Sequence, residues 1–255
     1  MIVAANFTSA QETSAPLRVA LFADPGSTDA KSRDAIFNLL KDRTDLTVDK
    51  VTTDAVRRAD FFNGYDVFIL PGGTGGGEAA AIGVDAGTTI AQQVKKGKGL
   101  IAVCAGGYYV AQGWNPATSA LDIINADNHD VKHWARGESF IAVMVIGQDD
   151  AKSSRTMWFE NGPIFVPATM PELIEYTPLV IYVSDLSAKD APTGQMTGRD
   201  AVIAAPFGEG RVVAFGPHPE LSPDVDHWLI NSIKWAAHRH GKDNALTADV
   251  ILEGK

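Results

Sequence analysis

Three stretches of this sequence hold side chains whose type and spacing suit covalent chemistry. In 101-IAVCAGGYY-109 a single thiol, Cys104, lies between a β-rich run and a segment that begins with small residues. A tight strand-to-helix turn of that composition projects a nucleophile, and the helix N-terminus beside it offers unpaired N–H groups and a positive dipole end that favour a thiolate. The plain alternative is packing, because free cysteine is among the most buried side chains. In 212-VVAFGPHPE-220, His218 and Glu220 stand two residues apart, so on an extended chain both project to the same side. With Pro219 stiffening the step, the Glu220 carboxylate can hold one ring nitrogen of His218 while the other faces a thiol. That is the base and orienting group a cysteine nucleophile uses; the alternative is an exposed histidine in a proline-rich loop. The third stretch, 70-LPGGTGGGE-78, lets backbone N–H groups approach a ligand without side chains in the way. It lacks the Gly-Lys-Ser/Thr ending of a phosphate loop. An oxyanion hole formed by the N–H groups of Gly73 and Ala105 suits it better, with a merely flexible turn as the alternative.

All three stretches follow strand-like runs, and that sets what the rest of the chain must do. Short β-rich runs at 17–23, 46–51, 65–70 and 100–103 alternate with segments of helical periodicity, such as the one that places Ala35, Ile36, Leu39 and Leu40 on one face. This alternation predicts βα units wound into a parallel sheet, and ligands of such sheets bind at the carboxyl ends of the strands. Residues 113 to 137 read as an irregular surface excursion. Strand-like runs follow at 140–146, 156–159 and 179–183, then a hairpin from Ala201 through Gly208-Glu209-Gly210 to Phe215, and a final helix over about 225–239. The expected fold is therefore α/β: a flavodoxin-like, doubly wound, mostly parallel sheet with helices on both faces and antiparallel additions in the second half. The expected organisation is a flexible arm over 1–16, a single domain over 17–241 and a C-terminal tail over 242–255.

Composition narrows the partners. With 255 residues, 45% hydrophobic and 21% charged, the chain can bury a core without a disulfide or metal staple. Its net charge of -9 repels nucleic-acid phosphates and anionic membrane surfaces. No apolar run approaches the roughly 20 residues of a membrane-spanning helix. The expectation is no nucleic acid, no membrane and a cytoplasmic location, or a periplasmic or secreted one if an export signal has been trimmed from the start. Asn6-Phe7-Thr8 matches the glycosylation sequon, which has meaning only in a secreted eukaryotic chain. One cysteine leaves the redox compartment open. No cofactor and no metal are expected. His129 and His133, four apart, lack a third ligand and read as part of a solvated loop. His238 and His240 read as complements to a helix C-terminus.

In order and type, the three stretches resemble the class I glutamine amidotransferase superfamily. Within it, 98-KGLIAVCAGGYYVA-111, the LPGG loop and 158-WFENGPIF-165 resemble the amidotransferase-like domain at the N-terminus of biotin-protein ligases, which also occurs as a free-standing protein. The resemblance spans roughly 17 to 240. It implies a Cys104-His218-Glu220 triad and a substrate pocket near Gly72, Thr74, Tyr108, Trp158 and Asn161. It further implies a cysteine hydrolase of amidase or amidohydrolase type acting on a small-molecule or peptide amide, with a homodimer or a separate partner protein left open. The elbow departs from the superfamily pattern, with Ala102 two residues before the cysteine and Gly107-Tyr108-Tyr109 after it, so glutamine is not implied as the substrate. A non-catalytic binding or regulatory module is the alternative. Third is a stress-response thiol protein of the PfpI type, although the loop after the first strand carries Asp24 and no glutamate.

Overall fold

The computed structural model of the protein describes residues 15–112, 121–148, 153–187, 191–239 and 245–255. Almost all of the predicted arm, with the sequon at Asn6, lies outside them, as does His240. The parallel half of the sheet is built from β1 (Leu17–Phe22), β2 (Leu46–Val51), β3 (Val67–Leu70) and β4 (Gly99–Val103). Its connections run through α1 (Ala30–Leu40), α2 (Thr53–Val56), α3 (Gly75–Ile82) and α4 (Val84–Lys95), and α5 (Ala105–Val110) follows β4. After these come β5 (Ala126–Asn128), β6 (Glu138–Val145), β7 (Ser154–Glu160), β8 (Phe165–Pro167), β9 (Thr177–Tyr182), β10 (Asp200–Phe207) and β11 (Gly210–Phe215). Two helices close the chain, α6 (Asp226–Ala236) and α7 (Ala248–Ile251).

The strand order is β2-β1-β3-β4-β11-β10-β9-β6-β7, with β5 and β8 paired beside it. Pairing is parallel from β2 as far as β11 and antiparallel from β11 outward. The parallel half thus has the 2-1-3-4-5 order of a flavodoxin-like sheet, with β11 in fifth place. Its strands read as continuous apolar runs because both faces are covered. Alternate residues feed two cores: Val19, Leu21, Ile101, Val103, Val213 and Phe215 pack with α1, α6 and α7, whereas Ala20, Phe22, Phe68, Leu70, Ala102 and Ala214 pack on the α3–α5 side.

Asp29 caps α1, its carboxylate accepting from Ser32 N at 2.9 Å. The glycine-rich stretch differs from its reading as a loop, for Gly75 onward winds into α3. Glycine disfavours a helix, but Glu78-Ala-Ala-Ala-Ile follows, and burial of Ala79 and Ile82 outweighs the cost. The excursion expected over 113–137 contains the short strand β5, paired with β8, and a helical turn at Val131–His133; residues 113–120 lie outside the described set. Of the segment read as a C-terminal tail, the described residues 245–255 pack onto α6. Val250, Ile251 and Leu252 are buried, Trp228 Nε1 donates to Glu253 Oε1 at 3.0 Å, and Asn231 Nδ2 donates to Leu252 O at 2.7 Å. No helix among the described residues is long and apolar enough to cross a membrane.

Candidate active site at the strand ends

Cys104, His218 and the Pro71-Gly72-Gly73 turn leave three adjacent parallel strands, β4, β11 and β3, at their carboxyl ends. Cys104 sits in the sharp turn between β4 and α5 with φ 50°, ψ −103°, a left-handed backbone that non-glycine residues rarely adopt. Its N–H is fixed on Phe215 O at 2.8 Å, which ties the turn to β11. The small residues after it have a steric reason. A Cβ on Gly106 would lie 2.6 Å from Leu70 Cβ, and one on Gly107 would lie 2.9 Å from Pro163 Cγ. The thiol is 6% exposed and donates to Glu160 O at 3.3 Å.

His218 is 2% exposed, and its Nδ1 lies 2.7 Å from Glu220 Oε1. The same carboxylate oxygen accepts from Ser32 Oγ at 2.6 Å, while Ser32 Oγ accepts from Gly72 N at 2.9 Å. A fully buried serine of α1 therefore links the glycine turn, the glutamate and the histidine. The backbone of His218 is anchored as well: its N–H donates to Trp158 O at 2.7 Å, and its carbonyl accepts from Ser222 Oγ at 2.6 Å. Burial opposes a charged ring, but the Glu220 carboxylate and the Cys104 sulfur, through charge and hydrogen bonding, outweigh it and hold His218 well above the usual histidine range. That imidazolium contributes stability fully present below the unfolded value of about 6.5 and lost as pH rises through the folded value. Beyond the Cys104 sulfur, Nε2 is buried with no hydrogen-bond partner among the described residues.

Cys104 and His218 share a cavity of about 300 Å³ with Asp29, Gly73, Thr74, Gly75, Ala105, Tyr108, Trp134, Glu160 and Asn161. Of the residues the sequence assigned to a pocket, Thr74, Tyr108 and Asn161 line it, as do Gly73 and Ala105. Gly72 does not: it packs behind the imidazole, where a Cβ would come within 2.6 Å of His218 Cε1. Trp158 does not either, because its ring is taken up by an edge contact with Phe140 and by the Lys31 ammonium above it. Asn161, with φ 55°, ends β7 in a left-handed turn, and its carbonyl accepts from Tyr108 Oη at 3.1 Å. His129 and His133 turn to different partners, Gln195 Oε1 at 2.8 Å and Asp130 Oδ1 at 2.6 Å.

Sequence reasoning missed Asp29 and Gly75 of the lining and four further members of this site. Ser32 looks like any polar residue of a helix start. Glu160 sits beside the noted Asn161 but acts through its carbonyl as well as its carboxylate. Trp134 lies in a segment without periodicity. The fourth, Glu78, is 0% exposed, and both its carboxylate oxygens lack hydrogen-bond partners. Burial, and the charge of Cys104 nearby, push its carboxyl well above the usual range. The native state therefore holds a proton here that the unfolded chain releases above about pH 4.3, and stability falls as pH rises past that point. Relative to the parent, Glu78→Gln is expected to gain stability with rising pH, by up to about 1.4 kcal/mol per pH unit. Thermal melts at several pH values check this; a pH-independent difference between the two proteins is the contrary result.

The sequence profile of the family described as "Biotin-protein ligase, N terminal" matches residues 17–124. No curated protein matches the chain. Among solved structures, one entitled "Crystal structure of glutamine amidotransferase" is similar with a TM-score of 0.57 at 18% identity, over 86% of this chain and 98% of that one. PurLQS from Thermotoga maritima is similar with a TM-score of 0.54 at 16% identity, over 80% of this chain and 88% of that one. The chain thus has the glutamine amidotransferase-like fold, and its residues 17–124 are similar to the biotin-protein ligase N-terminal family.

Proposed function

We propose that this protein is a cysteine-dependent amide hydrolase, with Cys104 as nucleophile, His218 as general base and acid, and Glu220 as the carboxylate that orients the ring. The observation that carries the reading is the 2.7 Å contact of His218 Nδ1 with Glu220 while Nε2 is left to the Cys104 sulfur and the cavity that both residues line. Glu220 fixes the ring so that Nε2 faces the chemistry. The thiolate adds to an amide carbonyl carbon, and the N–H groups of Gly73 and Ala105 receive the oxyanion. His218 then gives its proton to the departing amine as the C–N bond breaks. Water, deprotonated by the same nitrogen, attacks the thioester and releases the carboxylic acid and the thiol.

His218 and Glu220 lie beyond the segment that the family profile matches, so the base is a property of the second half of this chain. A second reading, a binding or regulatory module of the biotin-protein ligase N-terminal type, draws on the hydrogen bond from Cys104 Sγ to Glu160 O, which occupies the thiol proton. Alkylation by iodoacetamide separates the two. Because the chain has one cysteine, intact mass reports Cys104 alone. Near neutral pH the native protein is expected to alkylate at least about tenfold faster than the denatured chain, since the imidazole beside the sulfur takes up its proton as the bond forms, and His218→Ala is expected to remove that advantage. Native protein slower than the denatured chain would favour the binding module.

A further inference from the structure

We infer that the cavity beside Cys104 selects a ligand with a cationic group, an ammonium or guanidinium, and rejects one with a free carboxylate. This rests on the hydrolase reading for what happens to the ligand and deepens it by naming the substrate class. Besides the reacting pair, the charged side chains that line the cavity are Asp29 and Glu160, both acidic. A carboxylate entering it meets like charge, and among the described residues no lysine or arginine lines it, although Lys31 at the rim pairs with Glu160.

The walls suit a cation in a second way. Tyr108 and Trp134 line the cavity, and Trp134 is 51% exposed, an indole spent on no core. An aromatic face and a carboxylate together make a receptor for organic cations. The protein already shows this pairing at the rim of the site. Lys31 Nζ rests 4.1 Å from the centroid of the Trp158 ring and 3.6 Å from Glu160 Oε2, on a side chain that is itself half exposed. A substrate ammonium arriving from solvent finds the same kind of chemistry among the lining residues, at Trp134, Asp29 and Glu160. The nearby guanidinium of Arg136 does not offset this. It is buried outside the lining, paired with Asp130 and donating to Leu186 O.

Charged methanethiosulfonates test the inference on the full chain without any turnover. The thiolate attacks the sulfenyl sulfur, a disulfide forms and methanesulfinate leaves, so the rate at Cys104 reports access of the group carried in. We compare trimethylammonioethyl, sulfonatoethyl and methyl reagents, each normalised to a small free thiol in the same buffer. The expected cation-to-anion ratio is about tenfold or more, which corresponds to about 1.4 kcal/mol, and it should shrink at high salt. The double variant Asp29→Asn, Glu160→Gln is expected to bring it within about twofold of the free thiol; the neutral reagent and far-ultraviolet dichroism show whether that variant is folded. A normalised ratio at or below one in the parent protein overturns the inference, and so does a ratio that survives in the folded double variant. A neutral reagent that reacts no faster than the free thiol counts against the activated nucleophile, and the charge ratio can still be read from the other two.

Discussion

Replacing His218 with alanine is expected to lower hydrolysis of any amide this protein turns over by about four orders of magnitude, and Cys104→Ser by a similar factor. Groups that act as one unit lose most of their effect when any member goes, and the oxyanion hole and binding alone leave a residual rate. The double variant should therefore be scarcely slower than either single one. Ser32→Ala is expected to cost less. It removes one donor from Glu220 Oε1 and leaves Gly72 N without its acceptor, so it loosens the ring rather than deleting it. As a positioning residue, Ser32 should also shift the His218 titration followed by NMR, which a purely structural loss would not do. Initial rates of amine release from a panel of primary amides and nitroanilides, including ones that carry an ammonium group, measure these losses. A His218→Ala protein that keeps more than a tenth of the activity would mean that the thiol works without this base.

The second large effect concerns stability. Gly106→Val places a branched side chain where even a Cβ would come within 2.6 Å of Leu70 Cβ and 2.7 Å of Leu70 O. The contact lies at the junction of β3 with α5, and the obstacle includes backbone, so little can move aside. Overpacking of this kind costs about 3 kcal/mol or more, which for a chain of this size lowers Tm by about 6–12 °C. A thermal melt by circular dichroism reads it. A fall below about 1 °C would show that α5 slides outward at no cost, and the site geometry built on it would then be less fixed than described.

The parallel half of the sheet was legible because its strands are buried on both faces and end in glycine, proline or a capping residue. β2 has the predicted limits, and β1 and β4 differ by one residue. The Cys104 elbow and the His218-x-Glu220 step were legible for the same reason: each follows an unmistakable strand, and strand ends converge. What escaped has a different physical basis. Ser32 and Glu160 take part through contacts with residues far along the chain, which local pattern does not encode. Trp158 seemed a wall because it neighbours Asn161, but alternation along β7 turns its ring toward Phe140 and Lys31. The glycine-rich α3 misled because composition argued for a loop, whereas the alanines after the glycines and the burial of the helix on α5 decided the outcome.

β4 is hydrogen-bonded on one side to β3 and on the other to β11. The ribosome therefore delivers Cys104 more than a hundred residues before the strand that carries His218 to it. At about 5–20 residues per second, that interval lasts on the order of ten seconds. Throughout it the nascent thiol has no imidazole neighbour and β4 has one unpaired edge. In vectorial synthesis Cys104 thus waits for its imidazole neighbour until β11 and the residues after it have been made. A product that ends before β11 would leave that edge of β4 open, a ready template for aggregation.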